Sequence, residues 1–134
     1  MSNRTIKDAK LAKTKALPAA DANVDTDSID LGQVTAFPIN EEIDFSVEIP
    51  ATTALAEGVA LTVKLQDSAD DSSFADIDGL GAQTVTGAVG DGNDATVLYW
   101  KLPGSTRRYV HANIALAASG GDVTGSSAVA QLLV

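Results

Sequence analysis

The chain has 134 residues, a net charge of −9, no cysteine and only 4% aromatic residues. Such a length suits one domain that holds together without staples, and the lack of cysteine excludes disulfides and thiolate metal sites. No apolar run nears the roughly 20 residues of a membrane helix, and the basic start lacks the apolar stretch of a secretory signal, so a soluble, unexported protein with no membrane partner is expected.

Charge divides the chain. Arg4, Lys7, Lys10, Lys13 and Lys15 are opposed only by Asp8 within residues 1–15, a local charge of +4, while the remainder carries −13. An acidic body repels a phosphate backbone, which argues against a nucleic-acid partner. Residues 1–27 hold few large apolar side chains and include Pro18 and the Asp-rich stretch from Asp21 to Asp27. They cannot build a core, so they are predicted to form an extended basic arm, either a solvated tail or a segment ordered on a partner. On that reading, deleting residues 1–16 leaves the fold intact.

From residue 28 the pattern alternates with a period of two, as half-buried strands do. Ile43, Phe45, Val47 and Ile49 alternate with Asp44, Ser46 and Glu48 until Pro50 ends the run. Val59, Leu61, Val63 and Leu65 repeat the pattern. "FADI" is a short strand, "QTVTGAV" a Gly-interrupted one, and "ATVLYWKL" places Trp100 in a strand closed by Pro103-Gly104. Val110, Ala112, Ile114 and Leu116 form the next inward row, and "SSAVAQLLV" completes the set. Some seven or eight strands, with turn residues between them and no helical pattern after residue 27, predict an all-β fold. The expected architecture is an antiparallel β-sandwich or jelly roll over residues 28–134, with the arm of residues 1–27 outside it.

Candidate sites are sparse. The turns "DSADDSSFADID" and "GDGNDA" are rich in acids, but neither offers the fixed ligand offsets and distal Glu of a calcium loop, so solvated turns are expected and no metal or cofactor. His111 has no recognisable catalytic partner, and the sequence contains no nucleophile elbow, phosphate loop, paired-histidine zinc motif or dinucleotide fingerprint. Arg107-Arg108 is the only adjacent basic pair. Strand alternation sends the two to opposite faces and sets Arg107 beside Tyr109, His111 and Asn113, a composition suited to a protein contact. The competing expectation is pairing of either arginine with a nearby acid such as Asp70 or Asp71, which contributes little when exposed.

Four stretches, "LPAADANVDTDSIDLG", "LTVKLQDSADDSSFADI", "LPGSTRRYVHANIAL" and "GDVTGSSAVAQLLV", occur in that order. In that succession, with "Leu-Gln-Asp-Ser-x-Asp-Asp" followed by Phe and with "Arg-Tyr-Val" entering a late strand, the chain resembles the capsid cement, or decoration, proteins of tailed bacteriophages. The resemblance covers most of the chain from about residue 17. It implies a small jelly roll that forms a homotrimer on the outside of an icosahedral head and bridges neighbouring major-capsid subunits. It also implies a non-enzymatic role, with the protein made in the host cytoplasm and carried on the virion surface. Arg4, Lys7, Lys10, Lys13 and Lys15 would then dock the arm on an acidic capsid face or neighbouring copy, and Arg107, Tyr109, His111 and Asn113 would form a further contact. The alternative is a carbohydrate-binding or adhesive sandwich, for which Tyr99, Trp100 and Tyr109 are the candidate aromatics.

Overall fold

The computed structural model describes residues 7–30, 44–77, 79–102 and 106–133, which form strands and no helix. In chain order these are β1 (Lys7–Ala16), β2 (Ala22–Asp25), β3 (Ile29–Asp30), β4 (Asp44–Ile49), β5 (Ala60–Ser68), β6 (Ala75–Asp76), β7 (Gln83–Thr86), β8 (Thr96–Lys101), β9 (Tyr109–Leu116) and β10 (Ser127–Leu133). Ile43, Asp78 and the Pro103-Gly104 turn lie outside the described residues.

One sheet has the order β1-β10-β4-β8; the other has β2-β9-β5-β6, with β3 also on β9 and β7 also on β5. All ladders between these strands are antiparallel. Among the described residues the chain crosses back and forth between the two sheets, and β1 pairs with β10. That winding is a jelly roll, so the all-β sandwich expected from alternation takes this form.

The inward residues line up in rows. In the four-stranded sheet Phe45 stands between Leu132 and Trp100, and Val47 between Ala130 and Leu98. In the six-stranded sheet Leu61 meets Leu116 and Val85, Val63 meets Ile114, and Leu65 meets Ala112. All of these are buried, and together they form a single core cluster. Trimming Phe45 to Ala would cost about 3–5 kcal/mol, because the closely packed rows cannot collapse into the space. Along one side the sheets are laced together: Trp100 Nε1 donates to the Gly81 carbonyl at 2.9 Å and Gln83 Nε2 to the Tyr99 carbonyl at 2.7 Å.

The segment expected as an arm is extended, but its described part belongs to the sandwich. β1 pairs with β10 from Ala12 to Ala16, and β2 pairs with β9 from Ala22 to Asp25. Leu17 and Pro18, between them, are fully buried. The physical reason is that sheet ladders bond through the backbone, so a strand poor in large apolar residues can still be held by a neighbour's unpaired edge. A cut after residue 16 therefore removes a sheet strand, contrary to the expectation that the fold would be untouched.

At one end, the loop after β4 is clasped by the "GDGNDA" turn. Thr52 Oγ1 donates to Asn93 Oδ1 at 2.6 Å, and Asn93 Nδ2 donates to the Pro50 and Asp94 carbonyls at 3.0 Å each. Gly92 donates its N–H to the Leu55 carbonyl at 2.7 Å with φ at 92°. A Cβ there would stand 2.5 Å from the Thr52 carbonyl oxygen, so both the turn and the close approach require glycine.

Candidate interaction surfaces

β9 presents Tyr109, His111 and Asn113 on the outer face of the six-stranded sheet, opposite the buried row of Val110, Ala112, Ile114 and Leu116. Across the ladders His111 meets Gln66, and Asn113 meets Lys64 on one side and Asp25 on the other. A continuous polar network follows. Asn113 Nδ2 donates to Asp25 Oδ1 at 2.6 Å, His111 Nε2 lies 2.8 Å from Gln66 Oε1 and 3.6 Å from Asp25 Oδ1, and Gln66 Nε2 donates to Asp76 Oδ1 at 2.9 Å. Lys64 Nζ closes the line on Asp76 Oδ1 at 3.2 Å.

The network fixes the protons. The Gln66 amide nitrogen is committed to Asp76, so its oxygen faces His111, and His111 Nε2 between two acceptors carries the hydrogen. The Phe74 ring stacks on the imidazole with centroids 3.9 Å apart and planes 18° from parallel. This cover leaves His111 only 6% exposed. Burial pushes its imidazole below the usual range, against the pull of Asp25 and Asp71 toward the charged form. The hydrogen bond from Gln66, with Lys64 beside it, holds the Asp76 carboxyl below its ordinary value.

Arg107 does not join this strip. The strand begins at Tyr109, so alternation does not extend back to residue 107. Instead the Arg107 guanidinium reaches Asp67, a buried carboxylate that continues the inward row of β5 opposite Val110. Nε and Nη2 donate to Asp67 Oδ1 at 3.0 and 2.8 Å, the Arg107 backbone N–H donates to Oδ2 at 2.9 Å, and Nη2 also donates to the Asp67 carbonyl at 2.8 Å. Arg108 lies on the Tyr109 side. Its fork grips Asp30 through Nε to Oδ1 at 2.8 Å and Nη2 to Oδ2 at 2.9 Å, and its guanidinium carbon sits 5.1 Å from the Tyr109 ring centre. Both arginines pair with acids, but with Asp67 and Asp30 rather than Asp70 or Asp71. Asp70 caps its own turn, accepting from Ser68 Oγ and from the backbone N–H groups of Ser72 and Ser73, which holds its carboxyl down at about 2.

The basic segment is placed in part. Lys13 and Lys15 lie opposite Ala130 and Ala128, on the inner side of the edge strand β1, with Lys13 half-buried and Lys15 exposed. Arg4 lies outside the described residues, as do the side chains of Lys7 and Lys10. Lysines along an edge strand guard its unpaired backbone against chance pairing. Among the described residues no group of three or more His, Cys, Asp or Glu side chains is placed to hold a metal ion.

A second surface was not read from the sequence. On the outer face of the four-stranded sheet the register sets Ala12, Gln131, Ser46 and Tyr99 in one row, and Thr14, Val129, Glu48 and Val97 in the next. Tyr99 is 57% and Val97 41% exposed, while Trp100 is turned into the core. Of the three aromatics a carbohydrate-binding face would use, Trp100 is therefore unavailable from outside. The signal for this face lies in "TVLYW", where both alternating sets include apolar residues.

The fold is similar to that of the crystal structure of PBSX exported protein XepA. The TM-score is 0.53 at 14% identity over 99% of this chain and 38% of that one, so the chain spans well under half the length of XepA. At that identity the likeness is one of fold. Among curated proteins none matches the chain. The family model described as Bbp16 matches residues 11–131, nearly the whole sequence. This chain therefore belongs to the Bbp16 family.

Proposed function

We propose that this protein is a non-enzymatic structural component of a phage virion, a cement protein that binds the outside of the capsid and bridges neighbouring major-capsid subunits. The observation that carries this reading is the bracing of the six-stranded sheet. The polar residues most suggestive of chemistry in the sequence are spent as ties between strands. Arg108 joins β3 to the start of β9, Arg107 anchors the same start to the end of β5, and the line from Asn113 through Asp25, His111 and Gln66 to Asp76 spans β2, β9, β5 and β6. With β1 paired to β10, the described strands are cross-tied into one block. Reinforcing a shell requires such a block, since a compliant bridge would transmit little of the load between subunits. The resemblance of its strand and turn sequences to phage decoration proteins supports the same reading.

The test uses heads assembled without this protein, to which the purified full chain is added back. Cryo-electron microscopy is expected to show new density on the outer surface at contacts between capsid subunits, and the decorated heads are expected to withstand a higher temperature before rupture. Failure of the protein to co-sediment with such heads at low or moderate salt would overturn the proposal.

A further inference from the structure

The turn between β7 and β8 is held more firmly than a surface loop needs to be. Gly87 donates its N–H to the Val59 carbonyl, Ala88 to that of Gly92, Asp91 to that of Ala88, Gly92 to that of Leu55, Asn93 to that of Thr52, and Gly90 to Glu57 Oε1, all at 2.7–3.2 Å. Asp91 Oδ1 accepts in return from the Glu57 N–H at 3.0 Å. Ala88 to Asp91 is thus a tight turn with Gly90 in its third position at φ 85°, and its outer corner is Val89. At 89% exposure Val89 is the barest large apolar side chain among the described residues. That corner accepts proline or a polar residue equally well, so the fold does not require valine there. The other exposed large apolar side chains, Val97 and Tyr99, are on β8, the edge strand into which the turn leads. A lone exposed valine is ordinary, but one fixed on a braced turn is preorganised for a contact. A β-branched side chain has little rotamer freedom left to lose, so placing it in a pocket costs little ordering entropy.

Charge around the turn restricts its partner. Backbone hydrogen bonds from Leu17 to Ser126, Asp21 to Ala117, Ala56 to Gly120 and Gly92 to Leu55 gather the loops 17–21, 50–59, 87–95 and 117–126 at one end of the sandwich. These loops carry Asp21, Glu57, Asp91, Asp94 and Asp122, all exposed, and no Lys or Arg. End-to-end contact of two copies would bring like charges together. Among the described residues Lys64, Lys101, Arg107 and Arg108 are paired with Asp76, Asp44, Asp67 and Asp30, so a second copy offers this end few uncommitted cations. A surface that is apolar in a pocket and basic around it complements this end.

We propose, resting on the functional reading above, that the turn between β7 and β8 is a docking point on the shell: Val89 enters an apolar pocket of a shell subunit, and Lys or Arg side chains on the rim of that pocket meet the carboxylates beside it. Val89 supplies the buried apolar contact, and the acids of this end steer the approach.

Heads lacking the protein are the probe, titrated with full-length wild type, Val89→Ala, Val89→Lys, Asp94→Asn and, as a control on the outer face of the six-stranded sheet, Thr84→Lys. Val89→Ala gives up buried methyl groups and is expected to weaken binding about tenfold. Val89→Lys sets a cation against an apolar pocket with a basic rim and is expected to weaken it about a hundredfold or more. Asp94→Asn leaves the bracing by Glu57 and Asp91 intact and is expected to slow association about threefold at low salt and hardly at all at high salt, with Thr84→Lys close to wild type in affinity. All four positions of substitution are exposed at their side chains, so the variants are expected to unfold at the wild-type urea midpoint, which confirms that a loss of binding is not a loss of fold. If wild type binds and both Val89 variants bind as tightly, the turn is not a docking point and the cement reading survives. If wild type does not bind, the cement reading fails and the docking point with it. Association of Asp94→Asn at the wild-type rate in low salt overturns the basic rim. A change of oligomeric state in Val89→Lys, seen by sedimentation without loss of head binding, assigns the turn to a second copy and overturns the proposal.

Discussion

Removing Arg107 should cost more stability than removing the carboxylate it holds. Asp67 is buried at the end of an otherwise apolar row, while the Arg107 side chain is 43% exposed. Breaking a fully buried pair by deleting one partner costs about 3–5 kcal/mol, and an exposed pair contributes about 0–1 kcal/mol. Arg107→Ala leaves the carboxylate desolvated but still served by the backbone N–H of residue 107, which places the loss between those limits, at about 2–3 kcal/mol. Asp67→Ala leaves a guanidinium that can turn to water, together with a modest cavity, and should cost about 1–2 kcal/mol. The double variant should match Asp67→Ala, since the stranded charge is gone. Arg107→Lys should recover only part of the loss, because an ammonium cannot reproduce the fork. Urea unfolding of the four variants, with slopes compared to confirm a common unfolded state, measures the differences. A loss on Arg107→Ala equal to or smaller than that on Asp67→Ala would refute the view that Asp67 is a desolvated charge dependent on its partner.

Three other outcomes follow from the geometry. Deletion of residues 7–16 strips β1 from β10 and bares a long sheet edge, so the truncated chain should unfold at lower urea or aggregate, as read by denaturation and light scattering. Trp100→Phe loses the hydrogen bond to Gly81 as well as volume and should cost about 1–3 kcal/mol; in the wild type, this sole tryptophan should emit at short wavelength until the core opens. Because burial lowers the His111 pKa, the unfolded chain takes up this proton more readily than the folded one. Stability should therefore be full above about pH 6.5 and decline as pH falls toward the lower folded value, a slope that His111→Gln should flatten in urea midpoints measured from about pH 7.5 to pH 5.

Period-two alternation was enough to find β4, β5, β8, β9 and β10, because each has one face in the core and a register slip would turn that face outward. The edge strands were harder. β1 reads Lys7 to Ala16 as "KDAKLAKTKA", with no apolar alternation, since an edge strand is held mainly by backbone bonds to one neighbour. β2 is short and lies in the stretch from Asp21 to Asp27 whose acids suggested a solvated tail, and β3 is a two-residue strand just beyond it, yet Asp25 and Asp30 are there to meet Asn113 and Arg108. Those acids were legible as charge but not as partners, because their counterparts stand about eighty or more positions away in the sequence.

The arginine pair illustrates a limit of strand alternation and where better information lies. Alternation assigns faces only within a strand, and Arg107 and Arg108 precede the first ladder residue, so their directions are set by the acids within reach. The buried polar residue in an inward row was the more informative feature. In "LTVKLQDS" the alternation of Leu61, Val63 and Leu65 brings Asp67 to the core side, and a carboxylate there requires a cation nearby. The chain has only nine Lys and Arg residues, so the choice of partner was narrow. The same logic in reverse marks the four-stranded face. β4 turns Ser46 and Glu48 outward, the serine buried and the glutamate half-buried, whereas β8 turns out the exposed Val97 and Tyr99. One such strand is ordinary, but the register places beside it Val129, Thr14 and Ala12, and only the assembled sheet shows that small or apolar side chains from three strands share one surface.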